Sequence, residues 1–132
     1  MSQSHIVYKD LSYKIGGILI KVHNDLGRYC SEKEYCDRIE YYFKLQSVPY
    51  IRELILPPSF EGERPGRNRA DFVVDDKIVL ETKTVRMLDR EDYYQTQRYL
   101  TALNMKLGIL VNFRDRLIKP KRILNSNAKE KD

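Results

Sequence analysis

Three charged side chains interrupt an apolar stretch of this chain: Asp71, Glu81 and Lys83, within Arg69-Ala-Asp71-Phe-Val-Val-Asp-Asp-Lys-Ile-Val-Leu-Glu81-Thr-Lys83. The stretch reads as two strands joined by the polar turn Asp75-Asp76-Lys77. Residues two apart in a strand share a face, so Glu81 and Lys83 point the same way. Phe72, Val74, Ile78 and Leu80 take the other face, while Val73 and Val79 accompany the charges. Both faces are then largely apolar, as in a strand covered on both sides. Charges in that setting are costly unless paired or bound to metal. Two facing carboxylates with a lysine two residues on make an oxygen-rich site for a hard cation such as Mg²⁺. The lysine adds positive charge beside an attacked phosphate or an attacking water. A buried ion pair of Lys83 with Asp71 or Glu81 explains the same spacing equally well.

The register of the two strands decides whether the carboxylates meet. A two-residue loop at Asp75-Asp76 would set Asp71 opposite Leu80 and put Glu81 on the wrong face. A three-residue loop, Asp75 to Lys77, sets Asp71 opposite Glu81. Such loops need a left-handed residue, commonly Gly, and Asp tolerates that conformation. The charge pattern selects the longer loop.

Asp71, nine residues and then Glu81-Thr-Lys83 resembles the D…(D/E)xK core of the PD-(D/E)XK nuclease superfamily. Gln95-Thr-Gln-Arg-Tyr99 is similar to the QxxxY motif of its RecB-type branch. Leu26-Gly27-Arg-Tyr29-Cys-Ser-Glu32-Lys-Glu-Tyr35 resembles the signature of the small GxxExxY family. Tyr29 stands where that family has its first glycine, and Ala70 where the superfamily has its proline. The resemblance spans about Leu11 to Leu124. It implies a restriction-endonuclease-like core and a Mg²⁺- or Mn²⁺-dependent nuclease acting on nucleic acid, DNA rather than RNA. The catalytic set it implies is Asp71, Glu81, Lys83 and Gln95, with Glu32, Tyr35 and Tyr99 as additional members. The metal would fall to Asp71 and Glu81, joined by Glu32 and by His23, since RecB-type nucleases often carry an upstream histidine ligand. Each motif also has a structural reading: a boundary histidine for His23, a helix-start carboxylate for Glu32, a packing pair for Gln95 and Tyr99.

The elements that must hold these residues follow from periodicity. A helix begins at Asp10, its expected cap, and ends at Gly27, with Leu11, Ile15, Ile18, Leu19, Val22 and Leu26 on one face. Gly16-Gly17 inside it costs roughly 1 kcal/mol per glycine, so close packing is the expected compensation. Ser31-x-x-Glu34 has the form of a capping box opening a second helix, whose buried stripe is Tyr35, Ile39, Tyr42 and Phe43. Tyr50 to Leu56 reads as a strand stopped by Pro57-Pro58. The loop to Asn68 carries Arg64 and Arg67, and with Arg69 these are the candidate phosphate contacts. A third helix runs from Asp89 to about Asn104, expected to bury Tyr93, Gln97, Leu100 and Leu103, with Gln95 and Tyr99 on another face. Met105 to Phe113 is a strand buried on both sides, and Leu117 to Leu124 a basic edge strand. The tail, residues 125–132, reads as polar and frayed.

The expected fold is a single α/β domain with a central mixed sheet flanked by helices, in the order α-α-β-β-β-α-β-β. Residues 1–9 form a poorly defined start, 10–124 the nuclease-like domain and 125–132 a polar tail. The 132 residues suit one core, and 42% hydrophobic content with ten tyrosines argues against disorder. A formal charge of +5 is compatible with a polyanionic partner. Cys30 and Cys36, six apart, suit neither a disulfide nor a zinc site. No apolar run approaches ~20 residues, so no membrane partner is expected. A cytoplasmic location is the expectation. Two further readings stand beside the nuclease. One is a non-catalytic nucleic-acid- or protein-binding module that keeps the fold. The other is a subunit that cuts only within a homo-oligomer or larger assembly.

Overall fold

The computed structural model describes residues 5–58 and 60–132. Three helices, α1 (Lys9–Leu26), α2 (Glu32–Leu45) and α3 (Arg90–Leu103), cover a five-stranded sheet of β1 (Tyr50–Ile55), β2 (Arg69–Val74), β3 (Ile78–Lys83), β4 (Leu107–Asn112) and β5 (Lys121–Leu124). The strands lie in sequence order, β1-β2-β3-β4-β5, with β3 and β4 parallel and every other pair antiparallel. This is the single α/β domain expected from the sequence, and it is consistent with a restriction-endonuclease-like core. β4 reaches its parallel position through α3, the crossover that parallel strands require. All six of its residues are buried.

Two cores lie on opposite faces of the sheet. α1 and α2 bury Ile15, Ile18, Leu19, Val22, Tyr35, Ile39 and Phe43 against Phe72, Val74, Ile78, Leu80, Ile109 and Val111. α3 closes the other face, with Tyr99 and Leu100 against Val73, Val79 and Leu110. The helix is rotated from the expected face. Thr96, Tyr99 and Leu100 are its buried residues, while Tyr93, Gln97 and Leu103 are only half-buried. Gly108 of β4 explains the rotation: a Cβ there would come within 2.7 Å of Thr96 Cγ2, so this glycine lets α3 settle on Thr96. The rotation turns Tyr99 into the sheet.

Helix starts follow local chemistry in two cases of three. Ser31 and Glu34 form the expected capping box, and Asp89 with Asp92 forms a second one. α1 differs, because it starts one residue before Asp10 and has no side-chain cap. Tyr8 takes a left-handed conformation at the cap position (φ 48°), and Asp10 lies in the first turn, where the helix dipole favours a carboxylate. Gly16 and Gly17 do not mark a close approach, since a Cβ at either would meet nothing within 4 Å. Tyr42 is half-buried and donates to Asp25 rather than joining the core stripe. β5 is shorter than expected, beginning after Pro120, which has no N–H to give a ladder. The tail is tied back rather than frayed: Glu130 accepts from the Tyr8 N–H at 3.0 Å, and Ala128 is buried.

The β2–β3 hairpin has the three-residue loop inferred from the charges. Phe72, Val73 and Val74 face Leu80, Val79 and Ile78, and Lys77 N–H donates to the Val74 carbonyl at 2.9 Å. Asp75 and Asp76 take the left-handed positions, at φ 51° and 54°. Extending the register sets Asp71 opposite Glu81, but the ladder stops at Phe72–Leu80. β1 keeps its register across this level, Arg52 pairing with Phe72 and Leu54 with Ala70, but Glu53 and Asp71 between them do not pair, and Glu53 sits at φ 57°. Ala70 consequently packs in the α3-side core, although Phe72, two residues on, packs in the other. An irregularity of this kind re-aims a side chain. Here it re-aims Asp71.

Candidate active site

Asp71 and Glu81 occupy the fork that opens where β2 leaves β3. Their carboxylates accept from backbone donors at the mouth of the fork. Glu81 Oε1 accepts from the Asp71 N–H at 3.2 Å, and Asp71 Oδ2 accepts from the Thr82 N–H at 2.7 Å. Asp71 Oδ2 also accepts from the Thr82 hydroxyl at 3.0 Å. Behind Thr82 lies Cys36 of α2, with its Sγ 3.4 Å from Thr82 Oγ1. Burial, and then the charge of Asp71, pushes the Cys36 thiol up to about 12, so it stays a neutral spacer. Glu81 is only 3% exposed. That burial, reinforced by the neighbouring Asp71, raises its carboxyl well above the ordinary range. The fork therefore disfavours two ionised carboxylates side by side in a desolvated place.

Lys83 does not neutralise it by direct pairing. Its Nζ donates to Gln95 Oε1 at 2.9 Å and lies 3.8 Å from Asp92 Oδ1. Among the described residues, Asp92 is its carboxylate partner, and no ion pair with Asp71 or Glu81 forms. Gln95 and Tyr99, four apart on α3, both reach the site: Gln95 holds Lys83, and Tyr99 lies beside Glu81. Burial first, then the Glu81 charge, raises the Tyr99 hydroxyl. Glu32 is also brought in from the first turn of α2. Although the residue is exposed as a whole, its carboxyl is raised by desolvation and then by Asp71, with Lys83 acting oppositely.

Two other candidates point elsewhere. His23 Nε2 donates to the Asp115 carbonyl at 2.9 Å, which fixes the proton on that nitrogen and leaves Nδ1 as the ring's acceptor. Tyr35 is fully buried, stacked on Phe113 at 4.2 Å, and its hydroxyl donates to the Gly27 carbonyl and accepts from the Cys30 N–H. It locks the α1–α2 connection that leads to Glu32. Arg64, Arg67 and Arg69 are all exposed. Arg67 is engaged by Glu63 at 3.1 Å, a buried carboxylate that also accepts from Asn68 at 2.8 Å.

Several residues of the site do not stand out in the sequence. Asp92 has a ready local reading as part of a helix start, yet one oxygen caps Asp89 while the other faces Lys83. Thr82 sits between the motif's charged residues and carries no signal of its own. Asn112 has a usable signal, a polar residue in an otherwise apolar strand. It is 2% exposed, and its amide accepts from the Val85 N–H at 3.0 Å and donates to the Val85 carbonyl at 2.7 Å. That clamp holds the segment between Lys83 and α3.

A divalent cation is tested by these donors. Among the described residues no group of three or more His, Cys, Asp or Glu side chains is arranged to hold a metal. The fork nevertheless offers two carboxylates whose repulsion no ion pair among the described residues relieves. Mg²⁺ is commonly held by one or two carboxylates, with waters and substrate phosphate completing its shell. The donor set fits that kind of site.

A family model described as the PD-(D/E)XK nuclease superfamily matches residues 9–123. The chain belongs to the PD-(D/E)XK nuclease superfamily. Comparison with curated proteins gives no match, and neither does comparison with solved structures. No helix among the described residues is long and apolar enough to cross a membrane.

Proposed function

We propose that this chain is a metal-dependent nuclease that hydrolyses phosphodiester bonds of nucleic acid, with DNA as substrate. The observation that carries the reading is the fork: two carboxylates in a desolvated cleft, with a lysine held beside them by a glutamine. Asp71 and Glu81 would hold Mg²⁺ or Mn²⁺, assisted by Glu32. A metal so held supplies positive charge for the phosphoryl oxygen and acidifies water. Thr82 keeps Asp71 aimed into the fork through its N–H and hydroxyl. Lys83, oriented by Gln95 and Asp92, presents its ammonium for the attacking water or the developing phosphate charge. Arg64 and Arg69 contact flanking phosphates. The GxxExxY signature and the QxxxY pair place the chain, in this reading, near the RecB-type branch. The reducing cytoplasm suits its two free thiols.

A second reading, a binding module without catalysis, is favoured by one observation: among the described residues no group of three or more His, Cys, Asp or Glu side chains is arranged to hold a metal. The two separate in one assay. Plasmid and oligonucleotide substrates are incubated with Mg²⁺ or Mn²⁺, with and without chelator, using wild type and Glu81→Gln. Metal-dependent cleavage by wild type alone supports the nuclease. Equal cleavage by Glu81→Gln, or none by either protein, removes it.

A further inference from the structure

Arg28, Tyr29 and Arg114 form a cationic aromatic platform that the hydrolytic reading leaves unused. Tyr29 lies in the α1–α2 connection and is 75% exposed. The Arg28 guanidinium carbon is 5.2 Å from the centre of its ring, and that of Arg114 is 5.6 Å away. Arg28 Nε donates to the Arg114 carbonyl at 3.0 Å, which ties this connection to the turn after β4. Among the described residues neither guanidinium has a carboxylate in ion-pair range. Arg114 Nε is buried and has no hydrogen-bond partner there.

The platform adjoins the fork. Tyr29 precedes by three residues Glu32, whose carboxyl responds to Asp71 and Lys83. Arg114 follows Phe113, whose N–H donates to the Lys83 carbonyl at 2.9 Å, and Lys83 pairs in the sheet with Asn112. Two uncompensated guanidiniums and an exposed ring thus stand at the end of the sheet where β3 delivers Lys83.

We propose that Arg28, Tyr29 and Arg114 bind an unpaired nucleotide beside the bond to be cut. Tyr29 stacks on the base, and the two arginines neutralise adjoining phosphates. The proposal rests on the nucleic-acid reading above and adds a preference for single strands. A paired base has its faces covered by its neighbours, so a duplex offers this platform phosphates only. An unpaired base offers a π-face to the ring and to the guanidinium planes. Stacking of this kind tolerates any base, so the platform selects strandedness rather than sequence. An acidic protein partner would engage the arginines without needing the ring.

The test is anisotropy of a labelled oligothymidylate and of a duplex of equal length, in chelator, with cleavage in Mn²⁺ assayed in parallel. Tyr29→Ala should weaken single-strand binding about tenfold and leave duplex binding unchanged. Its salt slope should match wild type, because no charge is removed. Tyr29→Phe should bind as wild type does, since the ring remains. Arg114→Gln should lower the single-strand slope by about 0.7. If Tyr29→Ala binds the single strand as tightly as wild type, the platform is overturned while the nuclease stands on cleavage. If Tyr29→Ala binds weakly and wild type cuts nothing, the platform is supported and the hydrolytic reading falls. No single-strand binding by wild type overturns the platform.

Discussion

Lys83 Nζ and Gln95 Oε1 lie 2.9 Å apart, so the lysine at the end of β3 is held by α3 and not by the carboxylates beside it. This bears on what its removal costs. Stripping the partner from a buried carboxylate costs on the order of 3–5 kcal/mol. Lys83 instead faces Asp92 at 3.8 Å, and Asp92 keeps its capping bond with Asp89 whatever happens to Lys83. Lys83→Met should therefore abolish cleavage while costing about 1.5–3 kcal/mol, the scale of one charge-assisted hydrogen bond. Gln95→Ala should lower kcat while leaving metal affinity unchanged, because Gln95 touches the lysine and not the carboxylate pair. Denaturant melts and single-turnover rates check both. A drop of about 3–5 kcal/mol in Lys83→Met would return Lys83 to a structural role.

The charge in the fork makes a prediction about the metal-free protein. Burial raises Glu81 above its unfolded value, so folding favours its protonated form. Its contribution to stability is full below the unfolded carboxylate pKa and is lost as pH rises through the higher folded one. Glu81→Gln, which cannot ionise, should therefore melt higher than wild type at neutral pH in chelator, with the gap closing in acid. Metal that binds only the folded state adds about 2.7 kcal/mol at one hundred times its Kd. Wild type should show that rise in melting temperature, and Glu81→Gln should lose it. Identical melting of the two proteins with and without millimolar Mg²⁺ would count against a metal in the fork.

The order of elements and the meeting of Asp71 with Glu81 were legible because each rests on local rules. Alternation gives the strand faces, and a three-residue loop follows from requiring both carboxylates on one side. What escaped depends on packing between distant residues. The rotation of α3 is set by Gly108 on another element, so helical periodicity alone chose Tyr93 and Gln97 where Thr96 and Tyr99 are buried. The fork itself escaped because the break in pairing at Glu53 and Asp71 changes the faces of two strands together while their register is kept. The bond from one ring nitrogen of His23 to a carbonyl ninety-two residues away likewise has no local signal. Lys83's link to Asp92 is hidden in the sequence because Asp92 already has a local explanation as a capping residue.

Gly16 and Gly17 are the clearest places where sequence reasoning and structure part, and they yield a stabilising change. Neither has a neighbour within 4 Å of an added Cβ, and both lie within α1. Glycine in a helix interior costs roughly 1 kcal/mol against alanine. Gly16→Ala and Gly17→Ala should each raise stability by about that amount, with no change in nucleic-acid binding or cleavage. Urea titration measures it. Lower stability in either variant would mean that the helix relies on glycine in a way the packing does not explain.

Arg67 and Arg69 separate a structural arginine from one that meets phosphate. Arg67 is held at 3.1 Å by Glu63, a buried carboxylate, so removing it should weaken the fold of the loop between β1 and β2. Arg69 is exposed on β2, two residues from Asp71, where its side chain can meet a phosphate beside the fork. Removing one phosphate-neutralising side chain should reduce the log–log salt slope of binding by about 0.9 on duplex DNA or about 0.7 on a single strand. Arg69→Ala should show that reduction with its melting temperature unchanged. Arg67→Ala should show the reverse, a lower melting temperature with little change in slope. The measurement is binding in chelator across a salt series, with melts of the same preparations. An unchanged slope in Arg69→Ala would remove β2 from the path of the substrate.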